Sequence, residues 1–221
     1  MRYAILQRGE SRSFPAGDPF LAGAVPEAAA PGEAHVLLCL GVPPPQEPRY
    51  TAILVELGSE CLGVHTGEAE GDEGSNVLGF ARYRNGADAP SPLVELVAQP
   101  RTPETAVAAA RAVLEAAGLA VVVCTDQAGR IVDRLVRPKY NAALRFLDEG
   151  LATQADMDLT CRLGLGYRDG PIERVARGGL AHHHDVCRAL FAVFGTPAYA
   201  PARRAVVAAQ RRDGTSRDGA R

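Results

Sequence analysis

The sequence contains no tryptophan, only two methionines and a single lysine, Lys139. The other 23 of its 24 basic residues are arginine, which leaves one candidate for lysine chemistry and reads as codon bias rather than a functional choice. Neither sign of charge is in excess: 24 basic and 26 acidic side chains give a formal net charge of −2 over 221 residues. Binding nucleic acid by counterion release needs a clustered positive excess, so that class of function is excluded. No uninterrupted apolar run approaches the roughly 18 residues of a membrane helix. Met1 to Glu10 also lacks the basic-then-apolar order of a secretory signal, so a cytoplasmic protein away from membranes is expected. Cys39, Cys61, Cys124, Cys161 and Cys187 lie far apart with no C-x-x-C pair, which suggests small buried hydrophobes and neither a zinc site nor a disulfide framework.

What is present falls into two textures. Eleven of the 16 prolines lie in the first 100 residues, where short apolar runs alternate with breakers. Arg2 to Gln7, His35 to Leu40, Thr51 to Leu57, Val77 to Phe80 and Leu93 to Ala98 each have strand length. Between them, Ser11 to Pro31 and Pro43 to Pro48 are too proline-rich for regular helix, apart from a short turn at Ala22 to Ala30. Thr102 is placed to cap a helix with Pro103 at its first position and an apolar stripe of Val107, Ala110, Leu114 and Ala117. Leu119 to Cys124 then reads as a strand buried on both faces, which completes a strand–helix–strand unit.

From Asp126 the pattern is helical. Ile131 to Glu149 is expected to kink at Pro138 and stop at Gly150, and Thr153 with Asp156 predicts a capped helix ending at Gly164. Leu180 to Phe194 and Ala198 to Arg211 supply two more. The fold class is therefore α/β followed by all-α, joined near residue 125.

Three segments carry a family resemblance. They are V-V-V-C-T-D-Q-A-G-R-I-V-D-R-L-V-R-P-K-Y-N-A-A-L-R-F-L-D-E-G-L-A-T at 121–153, D-M-D-L-T-C-R-L-G-L-G-Y-R-D-G-P-I-E at 156–173 and G-T-P-A-Y-A-P at 195–201. Together they resemble the C-terminal domain of the 3-hydroxyacyl-CoA dehydrogenase family, which writes them as G-F-I-V-N-R-L, E-E-G-V-A-T, R-L-G-x-G-x-P-x-G-P and G-x-P-x-Y-x-P. Upstream, Leu93–Leu96 is similar to the family's L-V-E-V segment and Val77–Arg82 to the strand that carries its G-x-H-F-x-N-P motif. Cys61–Thr66 takes the place of its S-N-T-S-S loop. The resemblance implies a trimmed Rossmann-like sheet domain over residues 1–125. It also implies an all-helical domain of the 6-phosphogluconate-dehydrogenase C-terminal-like type over 126–221, used for dimerisation.

The chemistry that the family implies is NAD-dependent oxidation of an L-3-hydroxyacyl-CoA. In it a histidine acts as general base on the 3-hydroxyl, a glutamate orients the imidazole, and hydride passes to NAD. In this chain the histidine position is Ala81, which has no proton-accepting nitrogen, whereas the carboxylate survives as Glu95. The family's asparagine becomes Asp133, which accepts hydrogen bonds but does not donate them when ionised. A nucleotide-binding unit also needs a glycine-rich turn after its first strand. Here Met1–Gln7 is followed by Arg8-Gly9-Glu10-Ser11-Arg12-Ser13, and the one G-x-G, Gly164-Leu165-Gly166, follows a helix. NAD thus enters by resemblance alone, and weak or absent dehydrogenase activity is expected. The alternative is a non-catalytic homodimeric scaffold that binds an acyl-CoA-like ligand or a protein partner.

Candidate catalytic residues are Glu95, Asp133 and His65, the last as a replacement base in the S-N-T-S-S position. Each has a plainer reading: a strand-end carboxylate, an ion pair of Asp133 with Arg130 or Arg137, and a solvent-facing loop histidine. His182-His183-His184 does not converge on one metal ion, because consecutive helical positions point about 100° apart. The apolar stripes of Leu180–Phe194 and Ala205–Ala209 suit a subunit contact in a homodimer.

Overall fold

Six strands form one sheet in strict chain order: β1 (Tyr3–Gln7), β2 (Val36–Leu40), β3 (Ala52–Glu56), β4 (Val77–Arg82), β5 (Leu93–Ala98) and β6 (Ala120–Thr125). The computed structural model that shows this describes residues 1–25 and 34–218. Every neighbouring pair is parallel except β4 with β5, where a short connection reverses the chain. All five residues of β2 are buried, as both-face coverage of a parallel strand requires. On one face Val36, Leu38, Leu54, Leu78, Phe80 and Leu96 pack against the alanine-rich side of α3 (Glu104–Ala116). On the other, Leu37, Ile53, Val55 and Val97 lie under Leu57, Leu62 and Tyr50, which belong to loops.

The strand–helix–strand unit at 93–125 forms as the sequence indicates, with two corrections. Thr102 does not cap α3: its hydroxyl accepts from the Gln99 amide at 2.9 Å, and Pro103 occupies the N-cap without a side-chain bond. β6 is not buried on both faces but is the sheet's last strand, with Val122 and Val123 39% and 40% exposed. A continuous apolar run does not distinguish a central strand from an edge. Two one-turn helices, α1 (Pro19–Ala22) and α2 (Gly63–Thr66), punctuate the irregular connections. Of the turn expected at Ala22–Ala30, residues 26–30 lie outside the described residues.

The helical part comprises α4 (Val132–Asp148), α5 (Gln154–Leu165), α6 (Pro171–Gly178), α7 (Leu180–Phe194), a 3-10 turn at Pro197–Tyr199 and α8 (Arg203–Asp218). Pro138 sits inside α4 without ending it. Thr153 caps α5, its hydroxyl oxygen accepting from the Asp156 amide at 3.2 Å. The sequence reading missed α6, which has only eight residues and is capped from a distance. The buried Asp158 of α5 accepts from the amides of Ile172 at 2.8 Å and Glu173 at 3.1 Å. Gly170 precedes this helix because a Cβ there would fall on the Asp158 side chain. Within the stripe Ala205–Ala209 of α8, Ala205 and Ala209 are buried in this unit, whereas Val207 is 39% exposed. The chain divides into a sheet unit, Met1–Arg84 with Ala89–Arg130, and a helical unit, Asn85–Asp88 with Ile131–Arg221. Among the described residues no helix is long and apolar enough to cross a membrane.

Candidate active site

Glu95 lies in the middle of β5, between Val94 and Leu96, which bury themselves under α3. Side chains alternate along a strand, so Glu95 shares the opposite face with Val97. Ala81 of β4 is its cross-strand partner. The position that the sequence resemblance aligns with the family's base thus lies directly opposite Glu95, and it offers a methyl group.

A different cation has reached Glu95. Arg130 Nε lies 3.6 Å from Glu95 Oε2, and the two residues are 5% and 3% exposed. Arg130 Nη2 also donates to the Gly58 carbonyl. Arg130 holds a left-handed backbone with φ 49°, strained for a residue with a Cβ, in a turn pinned by Gly129 N–H to the Ser59 carbonyl at 2.9 Å. Asp126, four residues earlier, accepts from the amides of Leu62 at 2.6 Å and Gly63 at 2.8 Å. Gln99 donates to Asp126 at 3.2 Å and accepts from Thr66 at 3.1 Å. The loop aligned with S-N-T-S-S is therefore clamped onto residues 126–130.

A cavity of about 600 Å³ lies beside this clamp, lined among others by Cys61, Glu68, Glu73, Gln99, Cys124 and Asp126. Burial, and then the charge of Glu95, push the Cys124 thiol up to about 11. Burial and Asp126 raise Cys61 in the same direction. Both thiols are therefore poor nucleophiles near neutral pH. None of the five cysteines forms a disulfide among the described residues, and Cys39 and Cys187 are buried and the others partly so.

His65 sits on α2, with Nε2 3.6 Å from Glu60 Oε1, and lines a second cavity of about 470 Å³ together with Pro44–Pro48, Ser75 and Asn76. It is not the solvent-facing loop residue of the plainer sequence reading, since that nitrogen is buried without a hydrogen bond. No contact joins it to Glu95.

Asp133 is part of a chain of polar groups inside the helical unit. Its Oδ1 accepts from Arg137 Nε at 2.8 Å and pairs with Nη2 at 2.7 Å. Arg137 Nη1 lies 3.4 Å from His183 Nδ1, and His183 Nε2 lies 3.0 Å from Asn141 Oδ1. Asn141 Oδ1 also accepts from the Ala202 amide, and its Nδ2 donates to the Ala198 carbonyl. Because both outer partners have fixed polarity, this network assigns His183 as the neutral Nε2–H tautomer. Burial, and then the Arg137 charge, lower its pKa to about 3. Asp133 is paired with Arg137 through Oδ1, the ion pair that the plainer sequence reading expects. Of the histidine triplet, the middle member is thus a core residue that joins α4, α7 and the turn before α8.

The described residues do not fit a nicotinamide dinucleotide. Open α/β sheets bind ligands outside the carboxyl ends of their strands, where the strand order reverses. Here the order never reverses. The carboxyl ends of β1 to β4 are crossed by residues 8–18, which form no helix whose N-terminus faces them. Arg8 N–H bonds the Leu40 carbonyl at 2.9 Å, Ser11 and Ser13 bond Glu56, and Arg82 bonds Ser13 and Asp18. This strap, which the sequence had shown only as a proline-rich irregular stretch, occupies the edge where a pyrophosphate is held in nucleotide-binding sheets.

A mostly parallel, Rossmann-like sheet followed by a helical unit is the two-part plan of the 3-hydroxyacyl-CoA dehydrogenase fold. The (S)-3-hydroxybutyryl-CoA dehydrogenase from Ralstonia eutropha superposes on it with a TM-score of 0.68 at 21% identity, covering 84% of this chain and 69% of that one. Residues 129–220 match the family model described as 3-hydroxyacyl-CoA dehydrogenase, C-terminal domain. A 3-hydroxybutyryl-CoA dehydrogenase of Mycobacterium tuberculosis is 33% identical over 111 residues, 50% of this chain and 39% of that protein. Human mitochondrial hydroxyacyl-coenzyme A dehydrogenase is 35% identical over 94 residues, 41% and 30% of the two chains. The chain spans about a third of the length of the curated relatives it matches.

Sequence reasoning offered Arg130 only as a possible partner of Asp133 and did not place it beside Glu95. The signal was available, because this chain writes G-R-I-V-D-R-L where the family writes G-F-I-V-N-R-L, a cation in place of a large apolar ring.

Proposed function

We propose that this protein is a 3-hydroxyacyl-CoA dehydrogenase homologue that has given up NAD-dependent oxidation of L-3-hydroxyacyl-CoA. It keeps the fold as a cytoplasmic homodimeric scaffold for an acyl-CoA-like ligand or a protein partner. The observation that carries the reading is Ala81 opposite Glu95, with Arg130 as the charge beside that carboxylate. A guanidinium stays protonated throughout the physiological range, so it does not take the proton from a 3-hydroxyl. The strap over the carboxyl ends of β1–β4 supports the same conclusion for the cofactor.

Support for the scaffold comes from the helical unit, where Leu135, Leu159, Leu163, Leu165 and Val193 are exposed, Leu163 by 79%. These side chains supply apolar area for association to cover. Two measurements test the proposal. Calorimetric titration with NADH is expected to give no saturable heat, and acetoacetyl-CoA with NADH is expected to remain unreduced. Saturable binding accompanied by turnover overturns it. Light scattering after size exclusion is expected to give the mass of two chains, and a monomer at micromolar concentration removes the homodimer.

A further inference from the structure

We propose that Glu56 is an internal anion that occupies an oxyanion site built by the loop after β1, a site whose chemistry suits a carboxylate or phosphate oxygen. The inference rests on the cofactor-free reading above and adds a cause for it. Two donors converge on one carboxylate oxygen: Ser11 Oγ lies 2.9 Å from Glu56 Oε1, and the Ser13 amide lies 2.7 Å from the same atom. Ser11 Oγ accepts from the Phe14 amide at 2.9 Å, so its own proton is left to point at Glu56. Ser11 and Ser13 are both buried, which makes these donors costly to leave without an acceptor.

The surroundings fix the loop that carries these donors. Phe14 is buried and stacks on Phe20 with centroids 4.3 Å apart. Arg82, the last residue of β4, donates from Nη1 to the Ser13 carbonyl at 2.9 Å and to Asp18 Oδ2 at 2.8 Å, and its backbone amide bonds Ser13 Oγ at 3.2 Å. A backbone N–H and a hydroxyl held rigidly beyond the first strand of a parallel sheet are the kind of donor that elsewhere takes a phosphate oxygen. In this chain the oxygen comes from the end of β3. The sheet edge is thereby satisfied from within, and folding of the unit does not depend on a nucleotide.

The test uses the full chain and replaces the internal anion. Glu56→Ala is expected to lower the thermal midpoint by about 5 °C, since two charge-assisted hydrogen bonds are lost. Formate or inorganic phosphate, added at constant ionic strength, is expected to restore the midpoint saturably in this variant and to leave the wild type unmoved. Glu56→Gln keeps the volume and one acceptor oxygen, so it is expected to lose a smaller shift and to ignore both anions. An Ala variant that responds to neither oxyanion, or a wild type that responds equally, overturns the inference. If the Ala variant does not fold, the Gln variant decides: a midpoint equal to wild type overturns the proposal. Saturable NADH binding by the wild type instead contradicts the proposed function, an outcome read in a separate experiment.

Discussion

Arg130 and Glu95 form a buried ion contact of 3.6 Å between the last residue of the sheet unit and the centre of its fifth strand. Arg130 also bonds the Gly58 carbonyl, so one side chain ties together three segments that are distant in sequence.

Breaking this contact from one side leaves a buried carboxylate without its cation. Arg130→Met is expected to destabilise the chain by about 3–5 kcal/mol, whereas Glu95→Leu with Arg130→Met recovers most of that loss. Urea unfolding of the two single variants and the double variant checks the cycle. A fully additive result contradicts the coupling.

Restoring the imidazole is expected not to restore the enzyme. Ala81→His adds a base opposite Glu95, yet the strap and the Arg130 guanidinium remain. Reduction of acetoacetyl-CoA by NADH, followed by absorbance, is expected to stay at background. Clear turnover by this single variant refutes the account of the site.

The neutral His183 makes the helical unit sensitive to acid. Its folded pKa of about 3 lies below the unfolded value near 6.5, so between those limits the unfolded chain binds the proton and the folded chain does not. Stability is therefore full above the upper limit and falls as pH drops through the window, by up to about 1.4 kcal/mol per pH unit. Denaturant midpoints at pH 7 and pH 5 measure the slope, and His183→Gln is expected to flatten it.

Asp158 caps α6 from a neighbouring helix. Asp158→Ala leaves two amides without their acceptor, at a cost of about 1–3 kcal/mol. Chemical denaturation checks the loss, and Asp158→Asn, which retains one acceptor oxygen, is expected to lose less.

The strands, α3, α4 and α7 were legible because each is governed by local periodicity and by Gly or Pro boundaries. Glu95 was legible because the L-V-E-V segment survives, and Ala81 because its neighbours align. Three features were not. The edge position of β6 depends on which strand pairs with it, and the run Leu119–Cys124 carries no record of that. The amides of Ile172 and Glu173 in α6 are capped by Asp158, twelve or more residues before its N-terminus, whereas the local Glu173 carboxylate accepts from the Gly170 amide at 2.8 Å. Arg130 and Glu56 act through partners 35 to 72 positions away, and a strand-end glutamate looks the same whether or not buried donors meet it.

The strap has a further consequence for how the chain assembles. Its bonds join Ser11 and Ser13 to Glu56 and Arg82, across 43 to 69 positions of sequence. Contacts of such separation form late, because a long loop must close before any of them is made. During synthesis the opening residues therefore wait, unlatched, until β4 has emerged. The helical unit, rich in near-neighbour contacts within each helix, is built for quicker closure. A destabilising change in the strap is expected to slow folding less than it speeds unfolding.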